Sequence, residues 1–226
     1  MNDASQMRCG FVAVLGAPNA GKSTLINELV GAKVSIVTHK VQTTRIRIMG
    51  IATKDESQIV FIDTPGIFEP RRRLDRAMVD AAWRGASDAD RIMLVVDAKR
   101  GMDRDTARIV EGLKESKRTA ALVLNKIDLV KREDLLALAA EFNAAEIFDE
   151  TFMISALKGD GVADILSRLA GLLPEGPWMF PEDQLSDLPQ RLMAAEVTRE
   201  YLFLQTHQEV PYSTTVETES WEEFKD

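Results

Sequence analysis

Short apolar runs alternate along the chain with longer stretches in which apolar residues recur every three or four positions. The runs at 11–16 (FVAVLG), 45–52 (RIRIMGIA), 58–63 (QIVFID), 91–98 (RIMLVVDA), 119–126 (TAALVLNK) and 151–156 (TFMISA) predict strands, several with the β-branched content of buried ones. Between them, 22–30, 74–85, 103–116, 131–142 and 161–172 predict helices. Strand-helix alternation implies an α/β fold, a mostly parallel six-stranded sheet with helices on both faces. The runs at 45–52 and 58–63 are joined by the polar TKDES, too short for a crossover, so this pair predicts a hairpin and one antiparallel edge strand.

The pattern changes at residue 174. Pro174, Pro177, Pro181 and Pro189 mark 174–189 as a linker. Beyond it, 190–206 reads as an amphipathic helix with Leu192, Met193, Val197, Tyr201 and Leu204 along one side, and VPYSTTVET reads as a strand. Residues 1–173 therefore form one domain, and 190–226 start a second, incomplete one.

Composition adds three constraints. The 226 residues are 45% hydrophobic, enough to fill a core. The single Cys9 excludes an internal disulfide and fits an inert thiol in a reducing compartment. The net charge of -8 is uneven, because 12 acidic and 3 basic residues lie from Pro174 onward and the rest is nearly balanced. Neither part has the basic bias of a self-sufficient nucleic-acid binder. The first ten residues lack the build of a secretory signal, and no apolar run reaches the roughly 18 to 20 residues that span a bilayer, so a cytoplasmic protein is expected.

Four motifs stand at strand ends. GAPNAGKST (Gly16, Ala17, Pro18, Asn19, Ala20, Gly21, Lys22, Ser23 and Thr24) fits G-x-x-x-x-G-K-[ST] between a strand and a helix. Its glycines let the backbone wrap phosphates at a helix N-terminus, Lys22 should reach the β- and γ-phosphates, and Ser23 should ligate magnesium. DTPG (Asp63, Thr64, Pro65 and Gly66) ends a buried strand, where Asp63 would hold magnesium through a water and the Gly66 amide would sense the γ-phosphate. In NKID, Asp128 can accept two hydrogen bonds from the N1 and N2 donors of guanine, which adenine cannot offer; this excludes an ATPase. Asn125 would tie the base loop to the phosphate loop, and the stem of Lys126 would lie on the base. In SALKG (Ser155, Ala156 and Leu157), the Ala156 amide is a donor for guanine O6 and Ser155 would steady Asp128. VQTTRI supplies Thr43 and Thr44 for a switch loop that places a hydroxyl on magnesium and an amide on the γ-phosphate, and context favours Thr44. Arg71, Arg72 and Arg73 fit a solvated face before an RNA contact, His39 a surface position, and His207 and Trp178 packing. The divalent site is thus expected at Ser23, Thr44 and, through a water, Asp63.

Together GAPNAGKST, QTTR, DTPG, NKID and SALKG resemble the GTPase domain of the Era family, bacterial Ras-like GTPases with a P-loop NTPase fold. The stretch from 173 to 217 resembles the segment entering that family's C-terminal KH domain. The resemblance implies a GTP/GDP switch, using Mg2+, that binds small-subunit rRNA and the ribosomal subunit during ribosome assembly. It also implies a monomer partly associated with the inner membrane. A KH domain grips RNA with a G-x-x-G loop, and no glycine follows Gly176, so the KH-like α+β segment is expected to be incomplete, the chain a fragment, and RNA binding a property of the full-length form. Residues 190–226 are expected to be partly disordered or held against the GTPase domain.

One position departs from Ras-like signalling GTPases. Ile67 stands where they place the glutamine that orients water. Catalytic roles are therefore assigned to Lys22, Thr44, Gly66 and Asn19. Asn19 carries two readings: a turn residue capping the loop, or, as the resemblance implies, a ligand for K+ together with switch carbonyls. Two functions follow: a GTPase acting by positioning and charge stabilisation, or a nucleotide-gated binding scaffold with negligible turnover of its own.

Overall fold

The structure, a computed structural model, describes residues 7–37, 48–70, 72–205 and 215–222. Six strands form one sheet in the order β2-β3-β1-β4-β5-β6. They are β1 (Arg8–Leu15), β2 (Ile48–Lys54), β3 (Ser57–Asp63), β4 (Arg91–Asp97), β5 (Ala120–Asn125) and β6 (Phe148–Ile154). Only β2 runs antiparallel, on β3 at the sheet edge, joined through Asp55 and Glu56. The hairpin turn is tighter than TKDES suggested, because Thr53, Lys54 and Ser57 all stay in the ladder and Asp55 takes a left-handed φ of 51°. The predicted strand start at 45–47 lies outside the described residues, and β6 begins three residues earlier than expected.

Five helices cover the sheet: α1 (Lys22–Val30), α2 (Arg73–Asp88), α3 (Arg104–Glu115), α4 (Arg132–Asn143) and α5 (Val162–Leu172). The two-residue side-chain period of the strands divides the core in two. Val12 and Val14 of β1, Met93 and Val95 of β4, and Val123 of β5 face α1 and α5. Ala13 and Leu15, Leu94 and Val96, and Leu122 and Leu124 face α2, α3 and α4. Both faces being dry, these strands read as continuous apolar runs. Each fully buried Leu, Ile or Val contributes roughly 1.5–3 kcal/mol.

Because five strands are parallel, their carboxyl ends share one edge. Asp63 pairs with Val14, Asp97 with Asn125, and Asn125 with Ile154, so the polar residues that end the apolar runs are brought side by side. The chain passes from β3 to β4 around β1, and this reversal opens the crevice in which such sheets bind ligands.

The proline-rich stretch 174–189 is no free spacer. Its backbone bonds to the projecting end of β1, through Cys9 N to Pro174 O (3.2 Å) and Gly176 N to Met7 O (3.0 Å). Farther on it covers the outer edge of β2, where Ile51 N donates to Leu185 O (2.9 Å) and Met49 N to Asp187 Oδ1 (2.8 Å). Covering that edge removes a row of unpaired backbone groups open to strand addition. Buried Gln58 is the midpoint anchor: its Oε1 accepts from Met179 N (2.9 Å) and Phe180 N (3.0 Å), and its Nε2 donates to Phe180 O (2.8 Å). Cys9 is buried beside it, where desolvation pushes the thiol pKa up. Trp178 caps the hairpin, its Nε1 on Glu56 O at 3.1 Å.

Helix α6 (Gln190–Gln205) follows and buries Ala195, Arg199, Glu200 and Phe203. Of the predicted strand VPYSTTVET, 210–214 lie outside the described residues and 215–222 have no regular structure.

Replacing Gln58 by Leu keeps the volume and deletes all three bonds to the strap. We expect a loss of roughly 1–3 kcal/mol in urea unfolding and faster hydrogen exchange at Met179 and Phe180. Unchanged exchange there would show that the strap is held without Gln58.

Candidate functional site

Residues 16–24 leave β1, turn, and enter α1. Asn19 (φ 64°) and Gly21 (φ 98°) adopt left-handed backbone, and a Cβ on Gly21 would collide with the Asn125 side chain. The N-terminus of α1 has no side-chain cap and no acidic residue in its first turn, so its amide groups remain available to an anion. Lys22 is 7% exposed, and its Nζ donates to Gly16 O and Ala17 O, each at 3.1 Å. Burial lowers its pKa from 10.5 to about 8, although the charge of Asp63 acts to raise it.

Asp63, fully buried at the end of β3, accepts Ser23 Oγ (2.8 Å) and Ser35 Oγ (2.6 Å) on its Oδ2. Thr64 Oγ1 donates to Val14 O at 2.7 Å, which fixes the turn to β1. Ile67 N then donates to Gly16 O at 3.1 Å, binding this loop to the phosphate loop. Gly66 passes so close that a Cβ there would stand 2.9 Å from Pro18 N. The Ile67 side chain turns away from this edge into the core against α2 and α3, with 0% exposure.

Asn125 is the junction of the base side. Its Nδ2 donates to Ala20 O (2.9 Å), and its Oδ1 accepts Lys126 N (2.8 Å) and Ala156 N (3.0 Å). The tie between base loop and phosphate loop is as expected. The Ala156 amide, the expected donor for guanine O6, here donates to Asn125, whose Oδ1 holds both flanking loops. Lys126 (φ 64°) sends Nζ to Asn19 O and Asp97 Oδ2, both at 2.7 Å. Asp128 lies in the 3₁₀ turn Ile127–Leu129. Its carboxyl pKa is held below the usual range, first by the neighbouring Ser155 hydroxyl, then by its own backbone amide and by the charges of Lys158 and Lys126. The Ser155 hydroxyl is near enough to act on that carboxylate but makes no hydrogen bond of good geometry.

These loops enclose a cavity of about 360 Å³. Pro18, Asn19, Gly21, Lys22, Ser23, Thr24, Thr64, Gly66, Asn125, Lys126, Asp128, Ala156 and Leu157 line it. Gly16, Ala17, Ala20, Asp63, Pro65 and Ser155 do not; of these, Gly16, Ala17, Ala20 and Asp63 bond to groups that do. Thr43, Thr44, His39 and Arg71 lie outside the described residues. Sequence reasoning missed Ile36, Val37 and Leu129 in the lining, and Ser35 and Asp97 behind it. Asp97 ends RIMLVVD as Asp63 ends QIVFID, a usable signal; Ser35 and Val37 sit in no pattern. Leu157 (82% exposed) and Leu129 (56%) are bare apolar side chains at the mouth, suited to the faces of a planar base. The Ser23–Asp63 pair offers hard oxygen donors and so fits Mg2+. No group of three or more His, Cys, Asp or Glu among the described residues has metal-holding geometry.

Comparison with known proteins agrees with this geometry. Residues 11–126 match the model of the 50S ribosome-binding GTPase family. GTPase Era of Sinorhizobium medicae is 65% identical over 219 residues, 97% of this chain and 71% of that protein. GTPase Era of Agrobacterium fabrum is 62% identical over 225 residues, 100% and 71% of the two chains. A crystal structure of Era with MgGDPNP and nucleotides 1506–1542 of 16S ribosomal RNA superposes with a TM-score of 0.87 at 40% identity, covering 92% of this chain and 70% of that one. A variant of Aquifex aeolicus Era bound to GDP and AlF4- gives 0.86 at 40% identity, covering 92% and 71%.

Two outcomes follow from the side chains. Lys22 binds phosphate as the ammonium, and bound phosphates would raise its lowered pKa, so nucleotide binding above pH 8 takes up a proton. Affinity for GDP should fall about tenfold between pH 7 and pH 9, and Lys22→Met should be weak and flat across that window in fluorescence titrations. Asp128→Asn loses the double acceptor and should weaken guanine nucleotides at least ~100-fold while improving xanthine nucleotides, whose C2 carbonyl accepts from the new amide. Competition binding reads both, and unchanged GDP affinity would refute the base assignment.

Proposed function

This chain belongs to the Era family of GTPases, and from that premise we propose that it works as a molecular switch in assembly of the small ribosomal subunit. Its reaction is hydrolysis of GTP to GDP and phosphate. The observation that carries this reading is the Asn125 carboxamide, which draws the phosphate loop, NKID and SALKG around one cavity.

In the reaction, water attacks the γ-phosphate in line while charge spreads over its oxygens. Lys22 leaves its carbonyl partners for the β- and γ-phosphates, and the amide groups of the phosphate loop and of α1 face the same oxygens. Gly66, in van der Waals range of Pro18, brings its amide to the γ-phosphate side. Ser23, Thr44 and Asp63 would hold Mg2+, which when bound would neutralise charge on the phosphate oxygens. Asp128 selects guanine.

No described side chain takes the place of a water-orienting glutamine. Ile67 is sealed in the core, and hydrolysis by the isolated chain is accordingly slow. Asn19, lining the cavity with its backbone O held by Lys126, is our candidate ligand for K+, a charge stabiliser beside the γ-phosphate. The scaffold reading gains from the same burial of Ile67: GTP and GDP forms would present different surfaces, with turnover as the reset.

The partners we propose are small-subunit rRNA and the ribosomal subunit, on the likeness to Era bound to 16S RNA. The chain spans about 70% of that relative, and its residues after Gly176 hold no G-x-x-G, so RNA binding is assigned to a form carrying that loop. A monomer in the cytoplasm, with peripheral contact at the inner membrane, completes the proposal. Among the described residues no helix is long and apolar enough to cross a membrane.

Single-turnover hydrolysis tests the whole reading. The rate should be higher in potassium than in sodium salt, Asn19→Ala should erase that preference, and small ribosomal subunits should accelerate turnover by a form that carries the G-x-x-G loop. Equal rates in both salts would remove K+ from the site. A form that carries that loop and hydrolyses no GTP with subunits present would leave only the scaffold.

A further inference from the structure

Helix α6 places one carboxylate against the wall of the nucleotide cavity. Glu200 is 6% exposed; its Oε2 pairs with Lys33 Nζ, and its Oε1 accepts the Val37 N–H at 3.0 Å. Val37 and its neighbour Ile36 line the cavity. The turn before them is held from the opposite side. Asn27 Oδ1 accepts Val34 N and Ser35 N, each at 2.9 Å, and Asn27 Nδ2 donates to Ser35 O at 2.8 Å. Ser35 Oγ in turn reaches Asp63 Oδ2, the oxygen that also accepts Ser23. A line of hydrogen-bonded groups thus runs from α6 through 33–37 to the carboxylate behind the phosphate end of the cavity.

Burying a carboxylate is costly unless a cation and a donor meet it. Lys33 supplies the cation. The donor is the backbone of a cavity-lining residue. An apolar residue would pack α6 without that cost, so the carboxylate does more than pack.

We propose that Glu200 is a positioning residue of the nucleotide site: its carboxylate, on a helix outside the GTPase fold, holds the Ile36–Val37 wall in place and so sets how long guanine nucleotide stays bound. The inference rests on the cavity being the nucleotide site. Because binding linkage is reciprocal, nucleotide in the cavity also favours the docked position of α6.

The test uses the full 226-residue chain and dissociation of mant-GDP. Glu200→Met keeps length and packing, removes the buried charge, and leaves Val37 N–H without its acceptor; dissociation should become about tenfold faster, the effect of one charge-assisted hydrogen bond. Glu200→Gln retains an acceptor for Val37 and should stay within about threefold of wild type, the difference between charged and neutral bonds. Hydrogen exchange at the Val37 amide should accelerate in the Met variant alone. Wild-type dissociation from a folded Glu200→Met protein would overturn the proposal. So would Glu200→Gln matching the Met variant in rate while both lose thermal stability, since that pattern marks a structural ion pair. A wild-type chain that fails to bind mant-GDP would overturn the function reading itself and this inference with it.

Discussion

One carboxamide organises the carboxyl edge of the sheet. Asn125 ends β5, and its three hydrogen bonds go to Ala20 in the phosphate loop, to Lys126 in its own loop and to Ala156 after β6. The ties to Ala20 and Ala156 join residues remote in sequence, so no local interaction could bring these loops together. A buried amide in contact with three backbone groups tolerates little movement in any of them, since a displaced partner is left unpaired in a dry environment. The left-handed residues Asn19 and Lys126 hold strain that this junction and the flanking strands over-determine. Gly21 shows the tightness: the Asn125 side chain occupies the space that any Cβ would need.

The second constraint is the absence of a polar side chain after DTPG. Ile67 N binds Gly16 O while its side chain enters the core, so one residue both closes the DTPG turn onto the phosphate loop and anchors it against α2 and α3. A glutamine could not fill that place without burying an amide. The geometry therefore sets a rigid, core-anchored turn where a water-orienting side chain would otherwise stand.

The stretch 174–205 is integrated with the GTPase fold more tightly than its proline content implies. The strap from 174 to 189 shields the edge of β2 and is held at Gln58, and α6 reaches the cavity wall through Glu200. Prolines fit here because an edge-covering strap donates only some of its backbone groups.

Much of the fold and site was legible in the sequence. Apolar runs ending in Gly16, Asp63, Asn125 and Ser155 determined parallel strands and put each motif at a strand end, because buried strands and phosphate-binding turns demand specific residue types. The antiparallel β2 followed from the short connection alone. Tertiary structure decided the rest. The inward turn of Ile67, the engagement of the Ala156 amide by Asn125, the Asp97 support of Lys126 and the Glu200 contact with Val37 all join residues remote in sequence or depend on which face is buried. Residue type and spacing report local preference, whereas these contacts exist only once the sheet order has placed the strand ends, the strap and α6 within hydrogen-bond reach of one another.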